Sequence, residues 1–134
     1  MKRYVTDTQC ILWHLTDDRR LPRVARAAFQ AADEGRVQIL VPSIALVEAI
    51  FLLQRQRVSQ TTVSKLMALT EEPDASIRVV PLDMAVVRVV GDFGPAAIPE
   101  MPDRIIAATA RALDVPLLTT EPAIAESKLV KVLE

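Results

Sequence analysis

Val37-Gln38-Ile39-Leu40-Val41, followed at once by Pro42-Ser43, decides the fold. The first five residues are apolar on both alternating faces, as in a buried strand, and Pro42-Ser43 opens a helical pattern that runs to about Arg57. Upstream, Arg3 to Thr6 reads as a short strand. Thr8 to Leu15 follows, with Ile11, Leu12 and Leu15 at the spacing of one helical face. Pro22 suits the first turn of a helix to about Glu34, which Gly35 closes. Downstream, a helix from Ser59 or Gln60 to about Glu71 precedes a third strand, Ile77 to Val80, and a helix from about Asp83 to Val90. Gly91 to Pro102 holds two of the three glycines and three of the nine prolines, so it is expected to be the one long loop. The spacing then predicts a helix over Asp103 to Leu113, a strand over Val115 to Thr119, a helical turn over Pro122 to Glu126 and a fifth strand over Leu129 to Leu133. Strands alternating with helices imply an α/β domain with a mostly parallel sheet, because parallel neighbours need a crossover connection.

The chain has 134 residues, enough for one core, and shows no internal repeat or linker, so a single domain over residues 1–134 is expected. Half of its residues are hydrophobic and a quarter charged, which excludes disorder. No apolar run approaches the roughly 18 residues of a membrane span, and the start leads into a strand rather than a signal-peptide core. A cytoplasmic protein is expected. One cysteine, Cys10, and one histidine, His14, exclude a disulfide within the chain and most Cys- and His-based metal chemistry.

Carboxylates are what remains. In a parallel sheet, ligands bind at the carboxyl ends of the strands, beside the helices that follow. Asp7 stands directly after the first strand and Glu121 two residues after the fourth. Asp103 falls in the first turn of a helix. Glu48 lies one and a half turns into the helix after the second strand, among Ile44, Val47, Phe51 and Leu52. Four charges at one edge repel by about 3 kcal/mol per pair at an effective dielectric of ~20 and ~5 Å, so protonation or a divalent cation must relieve them. An all-oxygen site favours Mg²⁺ or Mn²⁺ over zinc. Each acid also has an ordinary explanation. Asp7 fits as an N-cap, Asp103 complements a helix dipole, Glu121 suits the cap of a short helix, and Glu48 can pair with Arg55 or Arg104. Asp83 opens a helix at the same edge, where capping explains it fully. The net charge of −1 hides an asymmetry: with four acids set aside around a cation, sixteen basic residues face thirteen acids. Twelve of those sixteen are Arg, whose planar fork suits phosphate, and Arg19, Arg20, Arg23, Arg26, Arg55 and Arg57 are either phosphate contacts or a solvated face.

Taken together, Val5-Thr6-Asp7-Thr8, Pro42 to Glu48, the run Pro102-Asp103-Arg104-Ile105-Ile106-Ala107-Ala108-Thr109-Ala110, and Val115 to Glu121 resemble PIN-domain ribonucleases, among them the VapC toxins of VapBC toxin–antitoxin pairs. The resemblance spans essentially the whole chain in the family's order, and Asp103 to Ala110 is its most specific part. It implies a three-layer α/β/α sandwich with a short, mostly parallel central sheet. It further implies metal-dependent endonucleolytic cleavage of RNA, leaving 5′-phosphate and 3′-hydroxyl ends. By that resemblance Asp7, Glu48 and Asp103 hold Mg²⁺ or Mn²⁺, and Thr119 orients the first acid or the attacking water. Glu121 stands where the family usually has Asp; with an arm one methylene longer, it joins the metal-holding set directly or through water. Gln9 replaces a subgroup's His, Glu100 matches an additional acid of some members, and His14 matches no catalytic position. An RNA substrate, a cognate antitoxin and a homodimer are the implied partners, with the helix from Ser59 to Leu69 a candidate contributor to the dimer. Because Gln9 and Glu121 depart from the pattern, a second reading stays open: a module of the same fold that binds RNA or a protein partner without cutting.

Overall fold

The computed structural model describes residues 1–72 and 75–133. Its centre is a four-stranded, wholly parallel sheet made of β1 (Lys2–Thr6), β2 (Val37–Pro42), β3 (Ile77–Val80) and β4 (Leu117–Leu118), in the order β3-β2-β1-β4. Among the described residues six α-helices connect these strands, α1 (Thr8–Leu15), α2 (Arg23–Asp33), α3 (Ser43–Gln54), α4 (Gln60–Ala68), α5 (Met84–Asp92) and α6 (Met101–Leu113), and a seventh, α7 (Pro122–Ser127), follows β4.

Alternation along the strands gives the sheet two apolar faces. Val37, Ile39, Val41 and Leu118 join Ile11, Phe29, Ala45, Val63 and Leu66 in one core layer, built from α1 to α4. Val5, Leu40 and Leu117 turn the other way and meet Val86, Ile98, Ile106 and Ile124 in a second layer, built from α5 to α7 and the segment before α6. The division follows from the strand order. The chain steps from β1 to β2 to β3 in one direction and then returns past β1 to β4. Right-handed crossovers travelling in opposite directions leave their helices on opposite faces. The expected α/β/α sandwich is therefore present, with the chain reversing its direction between β1 and β4.

Helix ends account for most boundary differences. Instead of reaching Arg57, α3 stops at Gln54. Gln56 takes a left-handed φ of 60°, its N–H donates to Leu53 O (2.9 Å), and the Arg57 N–H donates to Leu52 O (2.8 Å). This double closure is a Schellman motif. The same closure ends α1 at Asp17, α2 at Gly35 and α6 at Asp114, and α7 ends on left-handed Lys128, so among the described residues one of five left-handed helix ends uses glycine. A 3-10 turn, Leu69–Glu71, continues α4. The expected long loop shrinks to residues 93–100, because α5 continues to Asp92 and α6 starts at Met101. Pro102 fits that first helical turn, where its missing N–H has no intrahelical partner to lose. β4 is shorter than expected, since Pro116 brings no donor to the ladder and leaves its carbonyl to accept from Val5 N–H (3.0 Å). The expected fifth strand is reduced to one parallel bridge, Leu117 to Val132.

Candidate metal centre

β1 and β4 are neighbours whose following segments diverge, which opens a crevice at their carboxyl ends. Asp7 sits at this point with its backbone N–H donating to Leu118 O (3.0 Å). Its side chain is only 3% exposed and both oxygens are held. Cys10 N–H donates to Oδ1 (2.8 Å), making Asp7 the N-cap of α1, and Thr119 Oγ1 donates to Oδ2 (2.6 Å). Capping and site-building are thus one arrangement. Thr119 in turn accepts from Glu121 N–H (3.0 Å), so one hydroxyl fixes the first acid and shapes the turn that carries the last.

Glu48 is half-buried on α3, and the hydroxyl of Thr8 donates to its Oε1. Neither Arg55 nor Arg104 pairs with it; the guanidinium of Arg104 is committed to backbone carbonyls. The apolar surroundings expected of Glu48 are only partly core, since Ala45, Leu46 and Ala49 are buried while Val47 and Phe51 are exposed. Asp103 stands in the first turn of α6, as expected. Glu121 and Glu100 occupy the N-cap positions of α7 and α6, yet neither side chain makes a capping hydrogen bond. Capping therefore does not account for them. It does account for Asp83, whose Oδ1 accepts from Val86 N–H (3.1 Å) at the start of α5.

Electrostatics ties these acids together. Burial pushes Asp7 above the usual carboxylate range, against the hydrogen bonds from Thr119 and Cys10 that favour its charged form. Glu48 is also raised, first by burial and then by the charges of Asp7, Glu121 and Glu100, with Thr8 opposing. Asp103 is pushed up to about 6 by burial and then by Glu121, Glu48, Asp7 and Glu100, in that order. Glu48 and Asp103 thus feel the charges of Asp7, Glu100 and Glu121 at one edge of the sheet. Raised carboxyls such as theirs hold on to protons unless a cation replaces them.

Whether the residues suit a divalent ion is a question of donors and charge. The donors are all oxygen, which suits Mg²⁺ or Mn²⁺. Among the described residues, however, no group of three or more His, Cys, Asp or Glu side chains is already arranged to hold an ion. Asp7 is pinned by two hydrogen bonds, so closing a coordination shell falls to the side chains on α3, α6 and the β4–α7 turn. The other candidates separate cleanly. His14 stacks on Phe29 at 4.2 Å between ring centroids, a packing role, and the buried thiol of Cys10 is pushed further from ionisation by burial and by Asp7. Arg20 and Arg26 pair with Asp18 and Asp17 at the surface, while Arg19, Arg23, Arg55 and Arg57 are exposed. Reading the sequence missed Thr8 as the partner of Glu48, because a hydroxyl one residue from an acid carries no spacing signal of its own, and expected Arg104 on Glu48 where it instead holds backbone carbonyls.

Fold and site together define an α/β domain with an acidic, oxygen-only crevice at the point where its sheet reverses direction. The chain belongs to the PIN domain family, whose model matches residues 4–127. No curated protein sequence gives a significant match. Among solved structures the chain is similar to VapBC2 from Rickettsia felis bound to a DNA fragment from their promoter, at 15% identity and a TM-score of 0.71, covering 97% of this chain and 96% of that one. It is also similar to Mycobacterium tuberculosis VapC20, a Sarcin-Ricin loop cleaving toxin, at 14% identity and a TM-score of 0.70, covering 98% and 99%. A toxin–antitoxin complex from Klebsiella pneumoniae matches at 18% identity and a TM-score of 0.58, covering 88% and 86%. At these identities the likeness is one of fold. Among the described residues no helix is long and apolar enough to cross a membrane.

Proposed function

We propose that the chain is a divalent-metal-dependent endoribonuclease and the toxin half of a VapBC-type pair. The observation that carries this reading is the pinned Asp7 carboxylate at the β1/β4 crevice, within electrostatic reach of Glu48 and Asp103, on which Glu121 and Glu100 also act. Asp7, Glu48 and Asp103 would hold Mg²⁺ or Mn²⁺, with Glu121 reaching the ion directly or through water. When bound, the ion neutralises charge on the phosphate and lowers the cost of taking a proton from water. Thr119 orients Asp7 and favours its charged form against burial, and Thr8 does the same for Glu48. The reaction adds water across the phosphodiester: an oxygen–phosphorus bond forms, the bond to the 3′ oxygen breaks, and that oxygen leaves with a proton. A 5′-phosphate and a 3′-hydroxyl result.

Two of the similar structures are of toxin–antitoxin assemblies, which supports a protein antitoxin as partner. A second copy of the chain is the other proposed partner. The face for it is on α3 and α5 rather than on α4, whose Val63 and Leu66 are buried. Val47, Ile50 and Phe51 form one exposed stripe of α3, while Leu82, Met84 and Val87 are exposed at the start of α5. These two helix starts are tied together by Leu82 N–H donating to Ser43 Oγ (3.2 Å).

Titrating Mn²⁺ into the protein and then assaying cleavage of a structured RNA tests the reading. Native protein should bind Mn²⁺ and cut, whereas Asp7→Asn and Asp103→Asn should fold, lose Mn²⁺ binding and lose cutting. Undiminished cutting by either variant rejects the assignment. RNA binding without Mn²⁺ binding or cutting by native protein would establish the non-cutting module instead.

A further inference from the structure

The loop of residues 93–100 delivers two acids to the crevice, with Glu100 at its end and Asp103 one turn into α6. Beyond the turn in which Ala97 N–H donates to Gly94 O (3.1 Å), Gly94, Pro95 and Pro99 leave it without regular secondary structure, so its other carbonyls need donors from elsewhere. Arg104 supplies them. Its Nη1 donates to Gly94 O (3.0 Å) and Ile98 O (3.3 Å), and its Nη2 donates to Phe93 O (3.2 Å) and to Val90 O (3.4 Å) in the last turn of α5. The guanidinium also lies over the Phe93 ring, 5.9 Å from its centroid. Phe93 and Ile98 are buried on either side, so the staple is anchored in the second core layer.

We infer that Arg104 is a positioning residue for the metal centre. By gathering four carbonyls from α5 and the loop, it fixes where α6 begins, and with it how Glu100 and Asp103 stand toward Asp7 and Glu48. Glu100 and Glu121 act electrostatically on both Glu48 and Asp103, so a shift of the α6 start would alter the whole ensemble rather than one ligand. The role depends on the fork. Lysine keeps the charge but presents three donors from one point and cannot span acceptors on both sides while stacking on Phe93. The inference rests on the metal-site reading above and assigns no contact between Arg104 and substrate or ion.

Mn²⁺ affinity, read from the free-ion electron paramagnetic resonance signal with the full chain at a temperature where circular dichroism shows it folded, tests this. Arg104→Lys should weaken Mn²⁺ binding by about tenfold or more, the size of loss typical when a residue supporting metal ligands is removed. Asp83→Ala, which weakens the opposite end of α5, should lower the melting temperature yet leave Mn²⁺ affinity unchanged. That contrast separates positioning from stability. Phe93→Leu, which keeps the burial but removes the stacking surface, should weaken Mn²⁺ binding in the same direction and serves if Arg104→Lys does not fold. Mn²⁺ affinity within about twofold of native in a folded Arg104→Lys or Phe93→Leu protein overturns the inference. Asp103→Asn locates the failure: if it abolishes Mn²⁺ binding while Arg104→Lys does not weaken it, only the positioning role falls, and if it binds like native, the metal-site reading itself falls.

Discussion

Asp7 shows how one side chain can be a structural cap and a functional group at once, because its two oxygens have different partners. Asp7→Asn keeps an oxygen for Cys10 N–H and removes a buried charge. Its melting temperature without metal should therefore match or exceed that of native protein, while Mn²⁺ no longer raises it. Differential scanning fluorimetry with and without Mn²⁺ checks both halves. Asp103 provides the pH dependence. Its carboxyl, at 3.8 in the unfolded chain, sits at about 6 in the fold, so between those values the native state holds more protons than the unfolded state. Stability without metal should fall as pH rises through that window and level off above it. Metal binding has the opposite slope, since the ion needs the deprotonated group: Mn²⁺ affinity should climb from pH 5 and flatten above about 6.5. Isothermal titration across that range, alongside melting at each pH, tests the pair of trends. The acids themselves were legible because Asp7 and Glu121 follow strands, Asp103 opens a helix and Glu48 interrupts an apolar helix face. Of their polar supports, Thr119 was expected from the resemblance and does donate to Asp7, whereas Thr8 was not, since it lies forty residues from its partner Glu48.

At the scale of helices and strands, signals written in residue type were readable and those written in backbone geometry were not. Gly35 announces the end of α2, whereas Gln56 closes α3 with the same left-handed geometry and no glycine to mark it. Gln56→Gly should therefore raise stability by about 0.5–1 kcal/mol, the strain relieved when a side chain leaves a left-handed position. Asp83→Ala should cost about 1 kcal/mol, the usual value of an N-cap, and leave RNA cleavage at the native rate. Chemical denaturation of the two variants gives both values. A pattern of apolar residues also cannot say whether a stripe faces core or water when a helix is apolar all round. That is why α3 was expected to bury the surroundings of Glu48, although Phe51 on that side is 56% exposed.

For the whole molecule, exposed apolar surface and exposed acids lie on the same part of the fold. α3 carries both Glu48 and the stripe Val47, Ile50 and Phe51, so a second copy seated on that stripe would place two crevices near one another. Phe51→Asp should convert a dimer into a monomer in size-exclusion chromatography with light scattering, and the isolated monomer should keep its Mn²⁺ affinity. Net charge also has a consequence at this scale. On the proposed function, the acids gathered at the crevice would oppose RNA until a cation is bound, so RNA affinity of an Asp103→Asn protein should exceed that of metal-free native protein, measured by fluorescence anisotropy. The parallel order β3-β2-β1-β4 has a further effect, on the time course of synthesis. β1 is made long before β4, and Asp7 receives its hydroxyl partner only from residue 119. A chain whose synthesis stops before β4 lacks the wall against which Asp7 is held. Truncation anywhere before residue 119 would therefore leave Asp7 without its hydroxyl partner, and the proposed metal centre would be assembled only once β4 has docked beside β1.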